Sequence, residues 1–433
     1  GNLKNVYFYG DVPGLYGYGH FSGCASSLVL YYLEGKDGWS TPEWNGYKTA
    51  AFIPEDDENL VKVEVPGGKL KVYLTTGMVI GYEGSPTEVE FPEEVQGTEI
   101  RGISTAVFYG CESLTSAVIP DNYTEIGINV FGKCPKLEAV RIGSGIREIP
   151  KTAFAECASL GKVTLSEGLE KIEEGAFQYD GILEEAALPS TVQSIGKNAF
   201  CNCKKIKDVN LPEGLTEIGE SAFYGCSALT EIVIPEGIEE LPNSAFGQCE
   251  TLQTAVLPEG IKKIGVSAFA NCYNLETVNL PESVTELGNL VFSNCSSLTG
   301  IRIPSGVPRI PDQAFYQCRK LEKAELPEKL TAVGSYAFTY CSSLREVELP
   351  ETVTELGVRT FENSGLERIR IPSGVTVIPE RCFAVSQLSE IHIPSGVTQI
   401  NSQAFRDSGN LKNVYFYGDV PGLYGYGHFS GCA

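Results

Sequence analysis

Residues Ala222–Ala245 read A-F-Y-G-C-S-A-L-T-E-I-V-I-P-E-G-I-E-E-L-P-N-S-A, and Ala245-Phe246 starts the same sentence again. The phenylalanine returns at every 23rd residue from Phe108 to Phe361, then at Phe383 and Phe405 after two steps of 22. A fixed period between about 20 and 50 residues is the signature of a solenoid, in which no single unit buries its apolar face alone and neighbouring units must stack.

Counting from the phenylalanine as zero, apolar residues fall at +3 (Cys), +6 (Leu), +9 and +11, +15, +18 and +22. The +9/+11 alternation predicts a short half-buried strand, and the proline at +12 ends it because proline has no N–H to give to a ladder. The Gly or Pro at +19 predicts a corner, after which Ala-Phe-x-x-Cys is expected to form one loop of helix. Parallel strands sit about 4.8 Å apart, so fourteen such units predict a sheet roughly 67 Å long. A function carried by the solenoid then belongs to a long surface and not to a pocket.

This unit resembles that of the bacterial BspA-like leucine-rich repeat family, A-F-x-x-C-x-x-L-x-x-V-x-I-P-x-x-V-x-x-I-G. Matching positions include Ala268-Phe269, Cys272, Leu275, Val278, Leu280-Pro281, Val284 and Leu287-Gly288, and again Ala337-Phe338, Cys341, Leu344, Val347, Leu349-Pro350, Val353 and Leu356-Gly357. The resemblance covers roughly Met78 to Gly418. It implies a mainly β repeat solenoid with short helical turns, a right-handed leucine-rich-repeat superhelix with one long parallel sheet. It also implies attachment at the cell surface and binding to host proteins, while three scattered histidines and the lack of catalytic motifs add the expectation of no enzymatic activity and no cofactor.

The net charge is −22, from 55 acidic and 33 basic residues. Such a surface repels phosphate backbones and anionic headgroups, which argues against nucleic acid and membrane surfaces as partners and favours cationic ones. No apolar run reaches the eighteen residues of a spanning helix. The expected location is extracellular or at the cell surface, with any export signal and anchor lying outside these residues.

Of fourteen cysteines, Cys111, Cys134, Cys157, Cys203, Cys226, Cys249, Cys272, Cys295, Cys318 and Cys341 occupy the +3 slot, as do Cys24 and Cys432. In-register neighbours one coil apart are close enough to bridge, but their Cβ vectors run parallel, so bridging strains the coil. We expect small buried free thiols. Asp180 and Ser364 interrupt the column.

Gly1–Ala25 recurs letter for letter as Gly409–Ala433. Near-identical modules in a longer parent account for this, with a cloning artefact as the alternative. The expected organisation is a closing segment of a preceding module over 1–53, a linker, capping hairpin and irregular first repeat over 54–107, and the solenoid over 108–433. The second copy reaches Ala433 without equivalents of Leu28–Tyr47, so that end is expected to lack its cap. Its edge is expected to be covered by another molecule or by residues 26–53 of a neighbour. In the linker Glu55-Asp56-Asp57-Glu58 reads as solvated acidic chain, with calcium ligation the less favoured reading. Val61, Val63 and Val65, then Pro66-Gly67-Gly68, then Leu70, Val72 and Leu74 predict a hairpin.

The +10 positions flank the inward strand residues and face out of the sheet. Read along the stack this row holds Asn210, Val233, Val256, Asn279, Arg302, Glu325 and Glu348, continuing through Arg370 and His392 in the shorter units. Val233 and Val256 form an apolar spot, and Arg302, Glu325, Glu348 and Arg370 are expected to neutralise one another as a ladder. The row is the candidate protein-binding face, or else a plain solvated one. His392 is read as an isolated surface histidine, and His20 and His428 show no partner. No phosphate loop, H-E-x-x-H or G-x-S-x-G is present. Tyr16, Tyr18, Trp39, Trp44, Tyr424 and Tyr426 are candidate contacts for a protein or a sugar, against the alternative that they close the core at a cap. The partner classes expected are therefore a host matrix or another cell's surface protein and, end to end, a second copy. A structural spacer and a carbohydrate binder remain the alternative functions.

Overall fold

The computed structural model describes residues 5–8, 29–33, 43–44, 47–184 and 187–433. Its body is a parallel β-solenoid of about 16 turns, and among the described residues there is no helix. Each regular coil places two short strands. One lies at +8 to +10, as in Glu231–Val233 paired in register with Thr254–Val256. The other lies at +17 and +18, as in Glu240–Leu241 paired with Lys263–Ile264. The periodicity predicts only the first ladder, because two residues are too few to show alternation.

The Ala-Phe-x-x-Cys segment is the point of difference from the sequence reading. It is not a loop of helix. The residues two before and two after the phenylalanine take left-handed backbone, as at Ser244 (φ 55°) and Gln248 (φ 58°) around Phe246. The left-handed residues stop the turn from winding on as a helix and leave every second N–H pointing at the neighbouring coil, while Gly247 between them closes a local turn to the Ser244 carbonyl at 3.1 Å. These groups bond the next coil: Ser244, Phe246 and Gln248 N–H donate to the carbonyls of Val266, Ala268 and Ala270 at 2.8, 2.9 and 2.7 Å. A helix would have spent the same donors within its own turn. The corner is thus a third inter-coil ladder.

The core runs as files along the stack. The fourteen phenylalanines are buried and stack ring on ring, with Tyr82 ahead of Phe108 (5.0 Å, 4°) and Phe429 after Phe405 (5.3 Å, 2°). Beside them the leucines at +6, such as Leu229, Leu252 and Leu275, are fully buried.

The cysteine file has a hydrogen-bonding role that the sequence does not advertise. The described cysteines are free, and all but Cys432 are buried. Each regular thiol donates to the carbonyl of the preceding coil's phenylalanine, as Cys249 to Phe223 at 3.3 Å, Cys272 to Phe246 at 3.2 Å and Cys318 to Phe292 at 3.1 Å. Where serine replaces cysteine at 408, its Oγ donates in the same way to the Phe383 carbonyl at 2.9 Å. Asp180 breaks the pattern. It is fully buried, its Oδ1 accepts from the Cys157 N–H at 2.8 Å, and its Oδ2 has no hydrogen-bond partner. Burial pushes its carboxyl well above the ordinary range, opposed by the bond from Cys157.

At the amino-terminal side, strands β1 (Asn5–Phe8), β2 (Val29–Leu33), β3 (Glu43–Trp44) and β4 (Tyr47–Phe52) form one sheet in the order β1-β2-β4-β3. β1, β2 and β4 are parallel, and β3 runs antiparallel to β4. A hairpin follows in the predicted place, with β5 (Leu60–Val65) antiparallel to β6 (Gly68–Tyr73), which is antiparallel to β7 (Met78–Gly84). At its tip Gly67 has φ +80°, and a Cβ there would meet the Ser85 carbonyl oxygen at 2.3 Å, so only glycine fits. The other edge of β7 pairs in parallel with Gly102–Ile103, joining the hairpin to the +18 ladder.

Candidate protein-binding face

Strand parity sets the candidate face. The inward residues Ile232, Ala255, Val278, Ile301, Ala324 and Val347 are buried, and the next residue of each strand points out. Asn210, Val233, Val256, Asn279, Arg302, Glu325, Glu348, Arg370 and His392 are all exposed on this side. Asn210 lies just outside strand geometry, beside an isolated bridge at Asp208. Val233 and Val256 are 59% and 53% exposed and stand on paired strands, a genuine apolar spot.

Two shallow grooves lie along this row. One, of about 500 Å³, is lined by Val256, Asn279, Arg302 and Glu325 among others. A second, of about 1020 Å³, takes in Glu325, Glu348, Arg370 and His392. The second holds seven glutamates against one lysine and two arginines, so it is an acidic trough.

The charged residues do not neutralise one another along the row as expected. Arg302 pairs with Glu282 and Arg370 with Glu351, each at 2.8 Å, while Glu325 pairs with Lys323 on its own strand. The reason is directional. Side chains in register stand parallel, whereas the carboxylate at +13 of the preceding coil leans across the turn toward the arginine. That carboxylate is anchored first by the next coil: Glu282 accepts from the Ser305 N–H at 3.1 Å and from its hydroxyl at 2.9 Å. The serine bonds and then Arg302 hold the Glu282 carboxyl below its usual range. Lys323 does the same for Glu325, with Arg302 adding a smaller pull. Both glutamates are therefore fixed anions on the face.

His392 is not isolated. Its ring stacks on Tyr415 (4.8 Å, 19°) and Tyr417 (5.7 Å, 16°), and its Nδ1 lies 2.8 Å from the Tyr417 hydroxyl. Tyr415 is its in-register partner on the next strand, so the row itself carried the signal; Tyr417 is two residues further on the same face. His428 also has a partner, since its Nε2 lies 3.1 Å from the Tyr424 carbonyl oxygen.

Among the terminal aromatics, Tyr424 and Tyr426 are exposed, as are Tyr415 and Tyr417. Tyr16, Tyr18 and Trp39 lie outside the described residues, and of Trp44 only its place in β3 is described. Among the described residues no helix is long and apolar enough to cross a membrane.

A stack of in-register coils with buried Phe, Cys and Leu files and an exposed strand face is a solenoid of the leucine-rich repeat class. A family profile described as BspA type leucine rich repeat region matches residues 82–207, 170–299 and 308–433. The chain belongs to that family. Among solved structures it is similar to a leucine-rich repeat protein from Bacteroides ovatus ATCC 8483, with 25% identity, a TM-score of 0.60 and coverage of 88% of this chain and 92% of that one. It is also similar to a leucine rich cell surface protein from Faecalibacterium prausnitzii A2-165, with 23% identity, a TM-score of 0.43 and coverage of 83% and 95%. No curated protein matches its sequence.

Proposed function

We propose that the chain is a non-enzymatic binding protein, displayed at the cell surface or released from it, that engages another protein along its strand face. The observation that supports this most is the acidic trough on the same strand row as the apolar spot, with the Asn279 and Arg302 rungs between them. Fixed carboxylates at Glu325 and Glu282 and bare valines at Val233 and Val256 together suit a basic protein surface with an apolar anchor. Host matrix proteins and the surface of a neighbouring cell offer such partners.

In an array of immobilised host matrix proteins, the chain is expected to retain those with basic patches, and to release them as salt is raised, because exposed charges are screened over about 10 Å at 0.1 M. The combined change of Glu325 and Glu348 to alanine, which leaves Arg302 and Arg370 in place, is expected to weaken retention at least tenfold, which corresponds to about 1.4 kcal/mol. Retention unchanged by these substitutions would favour a spacer role instead. One observation favours carbohydrate as a second ligand, the open rings of Tyr424 and Tyr426. Their replacement by alanine, with retention on a glycan array as readout, separates that reading from the first.

A further inference from the structure

Between Phe108 and Phe405 the step shortens from 23 to 22 residues only twice, from Phe361 to Phe383 and from Phe383 to Phe405, so the two short coils are neighbours. The missing residue belongs to the same place in both. In the regular coils of Phe338 and Phe405 two residues separate the +3 slot from the buried leucine, Ser342-Ser343 before Leu344 and Gly409-Asn410 before Leu411. In the short coils one residue does, Gly365 before Leu366 and Gln387 before Leu388. The loop edge of the solenoid is therefore recessed over two consecutive coils and stands at full height on either side.

Hydrogen bonds hold the recess in place. In a regular coil the Ser343 N–H reaches the Arg319 carbonyl, one position beyond the file, at 3.1 Å; in the short coil the Gly365 N–H reaches the Cys341 carbonyl of the file itself, also at 3.1 Å. A Cβ on residue 365 would meet the Ser342 carbonyl oxygen at 2.3 Å, so this close approach needs glycine. Behind the floor the file holds Ser364 and Ser386 in place of cysteine. Ser364 Oγ donates to the Phe361 carbonyl of its own coil at 2.7 Å, and Ser386 Oγ lies 3.0 Å from that of Ser408. The result is a notch of about 740 Å³. With coils about 4.8 Å apart, its floor runs roughly 10 Å along the stack. Ser342 and Arg345 stand on one wall and Asn410 on the other, with Glu367, Gln387 and Ser389 on the floor.

We propose that this notch binds an uncharged oligosaccharide. The lining decides the class. Small-molecule sites are mostly apolar with a few placed polar groups, whereas here Val385 is the one aliphatic side chain. The other groups mix donors and acceptors: Arg345 and the Gln387 amide nitrogen donate, the Glu367 carboxylate accepts, and Ser389 does both. Every hydroxyl of a sugar is likewise donor and acceptor at once, so it can use all of them. An anion uses donors alone and meets Glu367, and a cation uses acceptors alone and meets Arg345 and Lys412. The groups are also held before any ligand arrives, which lowers the ordering cost of binding. Arg345 and Glu367 form an ion pair across adjacent coils, and Asn410 Nδ2 donates to Gln387 Oε1 at 2.8 Å. The notch lies on the loop edge, ahead of the strands, and does not rest on the strand-face reading or on the rings of Tyr424 and Tyr426.

The test is a glycan array probed with the whole chain, with protein-linked glycans printed in one block and free polysaccharides in another, so that the source of the saccharide is read as well. Retention on an uncharged glycan in at least one block is expected. Gln387→Ala and Glu367→Ala are each expected to weaken it at least tenfold and to leave the melting temperature in place, because both side chains are exposed. Filling the notch gives an independent reading. One serine inserted after Ser364 and one after Ser386 restore the 23-residue step, and this variant is expected to lose retention with its circular dichroism unchanged. Should it fail to fold, the two point variants decide. Three results overturn the proposal: no uncharged glycan retained in either block, retention confined to sulfated or carboxylated glycans, or retention that ignores both Gln387→Ala and Glu367→Ala.

Discussion

Phe246→Ala is expected to lower the stability of the solenoid by about 3–5 kcal/mol, the range for removing a fully buried phenylalanine. Phe246 has no exposed surface and stacks on Phe223 at 5.4 Å and on Phe269 at 5.7 Å, so its loss opens a gap in a file and not at an end. A solenoid's stability is a sum of units and nearest-neighbour contacts, and both interfaces of this coil weaken at once. Urea unfolding followed by circular dichroism should therefore show an earlier transition that also broadens or splits, as coils on either side of the gap unfold separately. Val256→Ala, at an exposed position of the same coil, is the control and should stay within about 0.5 kcal/mol of the parent. A loss below about 1 kcal/mol at Phe246 would mean that the rings do not form a continuous core.

The second expected result concerns the one carboxyl in the cysteine file. Asp180→Cys is expected to stabilise the chain by about 1–3 kcal/mol at pH 7, because it removes a buried polar atom with no partner. It also restores a thiol in the slot from which the other thiols reach the preceding phenylalanine carbonyl, here that of Phe154. The sign of the pH dependence follows from the raised pKa. The folded chain holds this proton when the unfolded chain has released it, so stability is fully present below the unfolded carboxyl pKa, about 3.9, and is lost as pH rises through the folded value. The gap between Asp180→Cys and the parent should be small near pH 4 and should widen toward neutrality. Asp180→Asn keeps an acceptor for the Cys157 N–H, supplies a donor that does not titrate, and should flatten the same slope. Thermal melts of the three proteins across that range are the check; a gap that does not change with pH would show that Asp180 does not take up a proton on folding.

Much of this was legible in the residues themselves, for a physical reason. Phe246, Cys249, Leu252, Ile261 and Ile264 must all turn inward, and their spacing repeats because each coil meets the same neighbour. The outward row followed from strand parity alone, and its residues from Asn210 to His392 stand where parity puts them. What could not be read depends on backbone angles and on contacts between coils. Gln248 and Ser244 are ordinary residues, and nothing in their identity announces left-handed backbone, so Ala-Phe-x-x-Cys reads as a loop of helix until the backbone angles are known. The strands at +17 and +18, such as Glu240–Leu241, are too short to show a period. The partners of Arg302 and Arg370 lie 20 and 19 residues back, at a turn position whose direction is set only once the coils are stacked. His392 looked solitary because its stacking partners Tyr415 and Tyr417 are 23 and 25 residues away in sequence and adjacent only across the ladder. The candidate face was found as a row, while the acidic trough needed the pairing geometry.

The central claim is that the coils stack in register and shut the Phe, Cys and Leu files away from water. Thiol labelling read by mass spectrometry tests it most directly, because the file is chemically addressable. Burial raises the file thiols from Cys203 to Cys341, that of Cys272 to about 12, so these are protonated as well as enclosed. Labelling of the native chain is expected to leave Cys111, Cys134, Cys157 and the file from Cys203 to Cys341 unmodified, and labelling after unfolding without reductant to modify all fourteen cysteines. Native labelling along the file at the unfolded rate, or fewer than fourteen labels on the unfolded chain, would contradict the account.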